Sequence, residues 1–370
     1  MATSPLRIGI AGCGSVMRGP YTNQIRRMLS AGMAIEVTAA CDTDPARRKI
    51  AEDRFGEVLF TTDYRELVTS SDVDLVLVLT SMPQHGPIAR AALEAGKHVL
   101  VEKPMSVSLS EAAELLELSK QSKGLLVPAP HVVLSPTFQE ISRRIHRGEI
   151  GQVLQARAIY GWNGPSWGKW FYSPGGGSMF DLGVYNVTSL TALLGPAQRV
   201  TAMTGIARPE RVVDGEKMKV QAEDTAHILI DFGGDVFAVV TTGFTMQRYR
   251  CPAIEIYGSE GTIQMLGDDW DPDGFELWRN DVGAWQIHGE TLPDWPWTDG
   301  LRHMVECIQN GTRPLITPEH GYHVLEIMLK AQEAGRTGQA QLIESTFTPP
   351  SFVEEAERVP VHLIHDPANQ

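Results

Sequence analysis

A carboxylate and an amine, Glu102 and Lys103, end an apolar stretch in the first third of the chain, directly before Pro104. The residues before them, His98–Val101, form the near-continuous apolar run that is typical of a parallel strand buried on both faces. Ligands bind at the carboxyl ends of strands in open α/β sheets. Glu102 and Lys103 are therefore candidate binding or proton-transfer residues, although a strand that simply ends in water would give the same sequence.

An acid and a phenol follow a run of three glycines, residues 175–177, at the start of a predicted apolar helix. They are Asp181 and Tyr185, and a spacing of four residues places both on one face of a helix. A phenol with an unperturbed pKa near ~10 is a poor base at neutral pH. A nearby ammonium such as that of Lys103 would stabilise the phenolate and lower its pKa. The pair could therefore orient a hydroxyl and remove its proton; alternatively, Asp181 caps the helix and Tyr185 packs in the core.

Two glycines, Gly12 and Gly14, follow the first apolar run of the chain. Gly12 permits a tight turn, and Gly14 lets the backbone approach a pyrophosphate, which the next helix would hold at its N-terminus, at Ser15 and Val16. The third position of the dinucleotide-binding pattern is Met17 instead of glycine or alanine, so the pattern is incomplete. Its place at the end of the first strand of a predicted βαβ unit supports dinucleotide binding.

Polar residues also follow the second and third apolar runs, at Asp42, Thr80 and His85. Asp42 can accept both ribose hydroxyls of NAD and repels the 2′-phosphate of NADP, which favours NAD over NADP as the cofactor. The alternative is that Asp42 caps the next helix. Thr80 adds a small polar group to the same sheet edge. His85 either lines the nicotinamide site or occupies the first turn of a helix with its ring in solvent.

The composition is that of a globular protein, with 42% hydrophobic and 21% charged residues among 370. The formal net charge of −13 argues against binding to nucleic acid or to an anionic membrane surface. Four cysteines stand apart without paired spacing, which predicts no metal site and fits a reducing compartment. No apolar run approaches the ~20 residues of a membrane helix, and the N-terminus lacks the features of a targeting segment. We therefore expect a cytoplasmic protein of two domains.

The pattern of apolar runs changes along the chain. Up to about residue 127, short runs such as Leu6–Ala11 and Ile35–Cys41 alternate with amphipathic helical stretches, which predicts βαβ units and a parallel sheet. Farther on, alternating runs such as residues 226–232 are separated by glycine turns and predict an antiparallel sheet. Helices and a polar tail follow. The predicted domains are 1–127, which binds the dinucleotide, and 128–370, which binds the substrate.

Five segments of the chain form a set that is found together in one family of enzymes. They are Gly12-Cys13-Gly14, the stretches from Ala92 to Pro104, from Gly175 to Tyr185 and from Glu255 to Gly261, and the C-terminal helix that ends at Arg336-Thr337-Gly338. With these segments, most of the chain resembles the glucose–fructose oxidoreductase/inositol dehydrogenase (Gfo/Idh/MocA) family. The resemblance implies an α/β fold: an N-terminal Rossmann domain with a parallel sheet, and a C-terminal α/β domain with an open, mostly antiparallel sheet. Because that second sheet often forms an oligomer interface in the family, we expect a homo-oligomer, either a dimer or a tetramer.

The resemblance also implies roles for the chemical residues. Lys103 is expected beside the nicotinamide and the substrate hydroxyl, with Glu102 in the same cofactor-binding segment. Asp181 is expected to hold a neighbouring hydroxyl. Tyr185 is expected to take the hydroxyl proton while hydride passes from the same carbon to the nicotinamide. Many members carry histidine where this chain has Tyr185. With tyrosine at this position, the chain resembles the branch of the family that includes glucose–fructose oxidoreductase and dihydrodiol dehydrogenase.

A loop rich in aromatic residues precedes the three glycines and carries Trp162, Asn163, Trp167 and Trp170. Indole faces pack against the C–H faces of sugar rings, and an amide can bind hydroxyls, so the loop predicts binding of a carbohydrate or a glycoside. The alternative is a lid that buries its aromatic rings against the sheet. His131, at the predicted domain junction, is a further candidate substrate contact.

These observations favour an NAD(P)-dependent oxidoreductase that acts on a secondary alcohol of a sugar, a glycoside or a cyclic polyol. One alternative keeps the fold but retains NAD tightly, so that transient oxidation leads to net glycosidic cleavage, elimination or epimerisation. A second alternative is a non-catalytic protein that senses nucleotides. The presence together of Lys103, Asp181 and Tyr185 argues against the second alternative.

Overall fold

The computed structural model describes residues 4–354, and these divide into two compact units. One unit comprises residues 4–131 and 296–322, and the other comprises residues 132–295 and 323–354. The division of the chain at residue 127 stays a prediction, and the structure groups residues 296–322 with the N-terminal segment. Of the predicted polar tail, the part beyond residue 354 lies outside the described residues.

A six-stranded parallel sheet forms the centre of the first unit, with the strand order β3-β2-β1-β4-β5-β6. Its strands are β1 (Leu6–Ala11), β2 (Ile35–Cys41), β3 (Leu59–Thr61), β4 (Leu75–Val78), β5 (His98–Val101) and β6 (Leu126–Pro128). The helices between them are α1 (Thr22–Ser30), α2 (Arg47–Phe55), α3 (Tyr64–Thr69), α4 (His85–Glu94) and α5 (Leu109–Gln121). The strand order reverses between β1 and β4, and the carboxyl ends of strands at such a point form the ligand-binding edge of α/β sheets.

The side chains of β4 and β5 explain why these strands lie in the middle of the sheet. All four residues of β4 are completely buried, as are Val99, Leu100 and Val101 of β5. Branched apolar side chains on both faces can be buried only where helices cover both sides of a sheet. The predicted parallel sheet is confirmed.

The second unit contains a mixed sheet whose described strands follow the order β16-β15-β14-β13-β7-β12-β11-β8-β17. The strands are β7 (Val153–Gly161), β8 (Arg199–Gly205), β9 (Glu210–Val213), β10 (Glu216–Lys219), β11 (Thr225–Asp231), β12 (Phe237–Gly243), β13 (Ile254–Gly258), β14 (Gly261–Asp268), β15 (Asp271–Arg279), β16 (Ala284–Gly289) and β17 (Gln341–Leu342). β9 and β10 pair as a separate hairpin. Within the large sheet, β7 and β12 run parallel and the other described neighbours run antiparallel. The predicted open, mostly antiparallel sheet is confirmed.

One face of the mixed sheet is packed and the other is open. Two helices of this unit, α6 (Pro136–His146) and α7 (Val184–Leu194), pack on the buried face. On the opposite face, the alternating side chains of β11 and β12 are solvent-exposed, among them Leu229, Phe237 and Val239. The sheet therefore presents an apolar surface that this unit does not cover.

Two helices complete the described chain. α8 (Gly300–Asn310) belongs to the first unit, whereas α9 (Pro318–Thr337) begins in the first unit and continues in the second. No helix within residues 4–354 combines the length and the low charge needed to cross a membrane. The cytoplasmic location stays a prediction.

Candidate active site

The glycine turn after β1 is tight at Gly12 and open at Gly14. Gly12 has φ +97°, and a Cβ there would lie 2.6 Å from the carbonyl oxygen of Leu79 at the end of β4. A Cβ on Gly14 would meet no atom within 4 Å, so its backbone borders open space. Helical backbone begins at Ser15. Met17, where the pattern expects glycine or alanine, has a fully buried side chain in the π-helical turn Met17–Tyr21.

The carboxylate of Asp42 holds two turns together at the end of β2. One oxygen accepts the Cys13 N–H at 2.8 Å and the other accepts the Asp44 N–H at 3.0 Å. The alternative that Asp42 caps the next helix is wrong, because Ala46 is the N-cap of α2. Asp42 instead links the glycine turn to the turn after β2. Each carboxylate oxygen has a further lone pair with which it could accept a hydrogen bond from a hydroxyl group.

His85 is buried (1% exposed) between two backbone carbonyls. Its Nδ1 lies 2.8 Å from the carbonyl oxygen of Pro104, and its Nε2 lies 3.0 Å from that of Thr80. The ring therefore does not lie in solvent, and that alternative is wrong. Burial lowers the pKa of His85. The imidazole connects the end of β4 to the turn after β5, so both of its nitrogens face backbone rather than an open site.

Glu102 is a buried anchor for the segment that carries Lys103. Its Oε1 accepts the Tyr21 hydroxyl at 2.8 Å, and its Oε2 accepts the Lys103 N–H at 3.2 Å. The peptide bond between Lys103 and Pro104 is cis. Tyr21 ends the π-helical turn that follows the glycine turn. Its hydrogen bond to Glu102 therefore connects the carboxyl end of β1 to that of β5.

His131 is also buried (1% exposed), so the structure does not support a contact between this ring and substrate. Its Nδ1 lies 3.2 Å from the Trp297 carbonyl oxygen, and a Cβ on Gly300 would come within 2.2 Å of the ring. Burial lowers the pKa of His131. These contacts describe a packed neutral imidazole that donates to a backbone carbonyl.

The second unit carries Asp181 and Tyr185 on one continuous helical segment. Asp181 lies in the π-helical turn Met179–Gly183, and Tyr185 lies in the first turn of α7. Both are largely buried, at 9% and 8% exposure. The Tyr185 ring packs edge-to-face against Tyr160 of β7, with ring centroids 5.9 Å apart and an interplanar angle of 79°. This contact restricts the direction of the phenol.

Two of the three glycines before Asp181 lie so close to other groups that a side chain would not fit. A Cβ on Gly176 would lie 2.3 Å from the Trp170 carbonyl oxygen, and a Cβ on Gly177 would lie 2.3 Å from Glu223 Oε2. Glu223 Oε1 accepts the Met179 N–H at 2.9 Å. The helical segment is thus capped by a residue that lies 44 positions away and that sequence reasoning missed.

The aromatic loop is partly packed and partly exposed. Trp170 stacks on Phe171 with ring centroids 3.7 Å apart, whereas Trp167 is 48% exposed and contacts the tilted ring of Trp162. The side-chain oxygen of Asn163 accepts hydrogen bonds from Arg208 and Gln247 and therefore holds the loop. Trp170 is half-buried against its neighbour, while Trp167 offers an exposed indole. Carbohydrate binding and the lid alternative both stay predictions for this loop.

A buried ion pair fastens this loop to the sheet. Arg211 donates to Asp224 Oδ2 at 3.0 Å, to the Asn163 carbonyl at 2.7 Å and to the Phe244 carbonyl at 2.7 Å. Its guanidinium also lies over the Tyr172 ring. Sequence reasoning missed this pair. The signal that could have indicated it is Asp224, an acid that stands directly before the apolar strand β11.

Two family models match the chain. The description of one is oxidoreductase family, NAD-binding Rossmann fold, over residues 6–129, and the description of the other is Gfo/Idh/MocA C-terminal domain, over residues 138–264. The chain is 31% identical over 266 residues to dTDP-3,4-didehydro-2,6-dideoxy-alpha-D-glucose 3-reductase of Saccharopolyspora spinosa, across 70% of this chain and 74% of that protein.

Two further relatives match, as does a solved structure. Trans-1,2-dihydrobenzene-1,2-diol dehydrogenase of Bos taurus is 23% identical, across 88% of this chain and 96% of that protein. An uncharacterized oxidoreductase of Synechocystis sp. is 30% identical, across 59% of this chain and 62% of its own length. Levoglucosan dehydrogenase, solved with NADH and levoglucosan, has the same fold, with a TM-score of 0.80 over 92% of this chain and 100% of that chain at 21% identity. The chain therefore belongs to the Gfo/Idh/MocA family of oxidoreductases and has an NAD-binding Rossmann domain at its N-terminus.

Proposed function

We propose that the protein is an NAD-dependent dehydrogenase that moves a hydride between a secondary alcohol of a sugar, a glycoside or a cyclic polyol and the nicotinamide ring. The observation that carries this proposal is that Asp181 and Tyr185 lie four residues apart on one largely buried helical segment. An acid and a phenol so arranged can orient a diol and transfer one of its protons. Relatives that act on a dihydrodiol, on levoglucosan and on a deoxy-sugar nucleotide share this substrate chemistry.

The residues of the glycine turn fit a dinucleotide. The space beside Gly14, which a larger side chain would occupy, lets the backbone reach a pyrophosphate at the helix that begins at Ser15 and Val16. Asp42 follows β2 and Thr80 follows β4, the two strands that flank β1, so both lie at the same sheet edge. The carboxylate of Asp42 would accept hydrogen bonds from the ribose hydroxyls and favour NAD over NADP. When bound, the nicotinamide supplies the hydride acceptor.

The side chains of the chain supply the proton chemistry in this proposal. Tyr185 takes the hydroxyl proton in oxidation and returns it in reduction, and its ring is aligned by Tyr160. Asp181 accepts a neighbouring hydroxyl and orients the carbon that is oxidised. Lys103, anchored through Glu102, supplies positive charge to the developing alkoxide. The exposed indole of Trp167 would pack against an apolar sugar face or an aglycone.

A substrate panel tests the proposal. Purified protein is mixed with sugars, glycosides, cyclic polyols and aryl dihydrodiols together with NAD or NADP, and reduced-nicotinamide absorbance is followed. We expect a signal with NAD and one group of vicinal diols. Absence of any signal, with nicotinamide released from the denatured protein, would support the redox-neutral alternative with retained NAD. Reversible binding of NAD without any signal and without retained nicotinamide would support the non-catalytic, nucleotide-sensing alternative.

We also propose that the protein forms a homo-oligomer through the open face of its mixed sheet. The apolar side chains on this face include neighbours in register, since Leu229 of β11 pairs with Val239 of β12. An exposed contiguous apolar patch on a sheet is typical of a protein–protein interface. A second copy of the chain would cover it without exposing a new apolar surface.

A further inference from the structure

The turn between β14 and β15 places a completely buried acid against helix α7. Asp269 is 1% exposed, and its Oδ2 accepts hydrogen bonds from Asn186 Nδ2 at 3.0 Å and from Ser189 Oγ at 3.2 Å. Asn186 and Ser189 are themselves fully buried. A carboxyl group in such a place is costly as an anion unless several donors surround it. The two donors both meet the same oxygen.

The remaining oxygens of this contact are acceptors without a donor. Among the residues that the structure describes, Asp269 Oδ1 and Asn186 Oδ1 are buried atoms with no hydrogen-bond partner. They belong to the same two groups that already share one hydrogen bond. A carboxylic acid and a primary amide can pair through both of their ends, with the amide N–H donating to one acid oxygen and the acid O–H donating to the amide oxygen. One proton on Asp269 Oδ1 would thus satisfy both unpartnered atoms.

We propose that Asp269 is a neutral carboxylic acid that pairs with the amide of Asn186 and thereby acts as a positioning residue for Tyr185. This role rests on the proposed function of Tyr185 as the proton-transfer residue. The acid itself does not contact substrate in this proposal.

The surroundings of Asp269 favour its protonated form. Burial, aided by the negative charge of the adjacent Asp268, raises the pKa of Asp269 to about 7, against the lowering effect of its hydrogen bonds with Asn186 and Ser189. Asp268 is in turn hydrogen-bonded by the Tyr249 hydroxyl at 3.4 Å. Among the described residues of α7, the uncharged Asn186 and Ser189 form the side-chain hydrogen bonds with Asp269. Because none of these partners supplies a positive charge, the anion gains no compensation for its lost hydration.

The same turn reaches Tyr185 along two routes. Asn186 directly follows Tyr185 on α7, so the acid–amide pair fixes the backbone beside the phenol. Trp270 directly follows Asp269, and its ring lies against Tyr160 with centroids 6.3 Å apart. Tyr160 in turn packs edge-to-face on Tyr185. A change at Asp269 would therefore alter both the position and the aromatic support of the phenol.

Ionisation of Asp269 would weaken this arrangement. The anion has no O–H to donate to Asn186 Oδ1, so two acceptor oxygens would face each other without a proton. The folded-state pKa of Asp269 is raised above the ordinary aspartate value of 3.8 to about 7. The corresponding stabilisation is therefore complete below pH ~4 and is lost as the pH rises through ~7. Turnover should show the same loss on the alkaline side.

Replacing Asp269 tests the pair. Asp269→Asn places an N–H₂ where the acid carries its O–H, so the neutral pair is preserved. Asp269→Ala removes it. Asp271→Asn is the control, since it changes the charge of an exposed residue next to the same turn. Infrared difference spectra between about pH 5 and pH 9 report the carbonyl band of a protonated carboxyl group, and kcat and KM are measured over the same range.

Because the pKa of Glu223 is also raised to about 7, its carboxyl band is expected in every protein. We expect a further protonated-carboxyl component from Asp269 in the parent and in Asp271→Asn, and its loss in Asp269→Asn and Asp269→Ala. The kcat of Asp269→Ala should fall about tenfold with little change in KM, because the phenol is misplaced. Asp269→Asn should restore turnover at low pH and remove the alkaline decline. A parental spectrum that matches that of Asp269→Asn in the carboxyl region, or a decline that persists in Asp269→Asn, would overturn the proposal. If the parent oxidises no alcohol, the spectra of the parent and the variants still test whether the acid–amide pair exists. Failure of the proposed function can therefore be distinguished from failure of the acid–amide pair.

Discussion

Glu223 and Met179 are joined by a hydrogen bond of 2.9 Å that caps the helical segment of Asp181. The carbonyl of Glu223 also accepts the Ser178 N–H at 3.0 Å, so one residue satisfies two successive backbone donors. Negative charge is favourable at a helix N-terminus. Nevertheless, burial of the carboxyl raises the pKa of Glu223 to about 7, against the effect of its hydrogen bonds with Met179 and Gln332.

This cap predicts a pH-dependent stability. Because the pKa of Glu223 is raised from the ordinary glutamate value of 4.5 to about 7, its protonation-linked stabilisation is complete below pH 4.5 and is lost as the pH rises through 7. Glu223→Gln keeps an acceptor for Met179 and should reduce the decline of Tm over this range. Glu223→Ala should lose about 1–2 kcal/mol of the free energy of unfolding at all pH values. If thermal unfolding shows the same decline of Tm with pH in Glu223→Gln as in the parent, a group other than Glu223 causes that decline.

Removing the phenol hydroxyl tests proton transfer. Tyr185→Phe keeps the aromatic contact with Tyr160 but cannot exchange a proton. We expect kcat to fall about 10²- to 10⁴-fold, with NAD affinity unchanged in a fluorescence titration. The matched control is Tyr64→Phe, which alters a tyrosine of α3 in the other unit. Parental turnover in Tyr185→Phe would exclude the role.

The choice of cofactor should depend on Asp42. Asp42→Ser keeps an oxygen that can accept the Cys13 N–H but removes the negative charge that repels a 2′-phosphate. The ratio of kcat/KM for NADP to that for NAD should rise at least about tenfold. Asp44→Ser, on the neighbouring turn, should leave the ratio as it is. An identical ratio in Asp42→Ser and the parent would limit Asp42 to its structural contacts.

The apolar sheet face predicts a concentration-dependent assembly. Val239→Arg places a charge in the middle of this face, opposite Leu229 in register. Light scattering should show a multiple of the monomer mass for the parent and a shift toward the monomer for the variant, because an uncompensated buried charge is costly. Val212→Arg, on the separate hairpin, is the control. A monomeric parent, or an assembly unaffected by Val239→Arg, would contradict this interface.

The apolar strands of the first sheet could be predicted because burial on both faces leaves a direct record in sequence. The observed bounds of β1, β2 and β5 are those of the predicted runs. β3, with three residues, is too short to show a period, and it was not predicted. The exposed strand β16 was also missed, since its four middle side chains face solvent in part and show no clear apolar alternation.

The residues of the proposed proton chemistry could be selected from the sequence, but the residues that hold them could not. Asp181 and Tyr185 are four positions apart, and this spacing alone predicts that they share one helical face. Asp269 and Asn186 are 83 positions apart, and Glu223 and Met179 are 44 apart. No local spacing reports such contacts, and acids in turns are ordinarily solvated. Burial, which only the fold creates, gives Asp269 and Glu223 their raised pKa values.

Transfer of the carbon-bound hydrogen tests the central claim most directly. A substrate of the panel is prepared with deuterium on the carbon that bears the secondary hydroxyl, and one turnover with NAD is analysed by mass spectrometry. The proposed hydride transfer predicts one deuterium in the reduced nicotinamide, a carbonyl at the labelled carbon, and loss of both in Tyr185→Phe. Deuterium that stays on carbon, or that passes to water while the nicotinamide remains oxidised, would contradict a dehydrogenase.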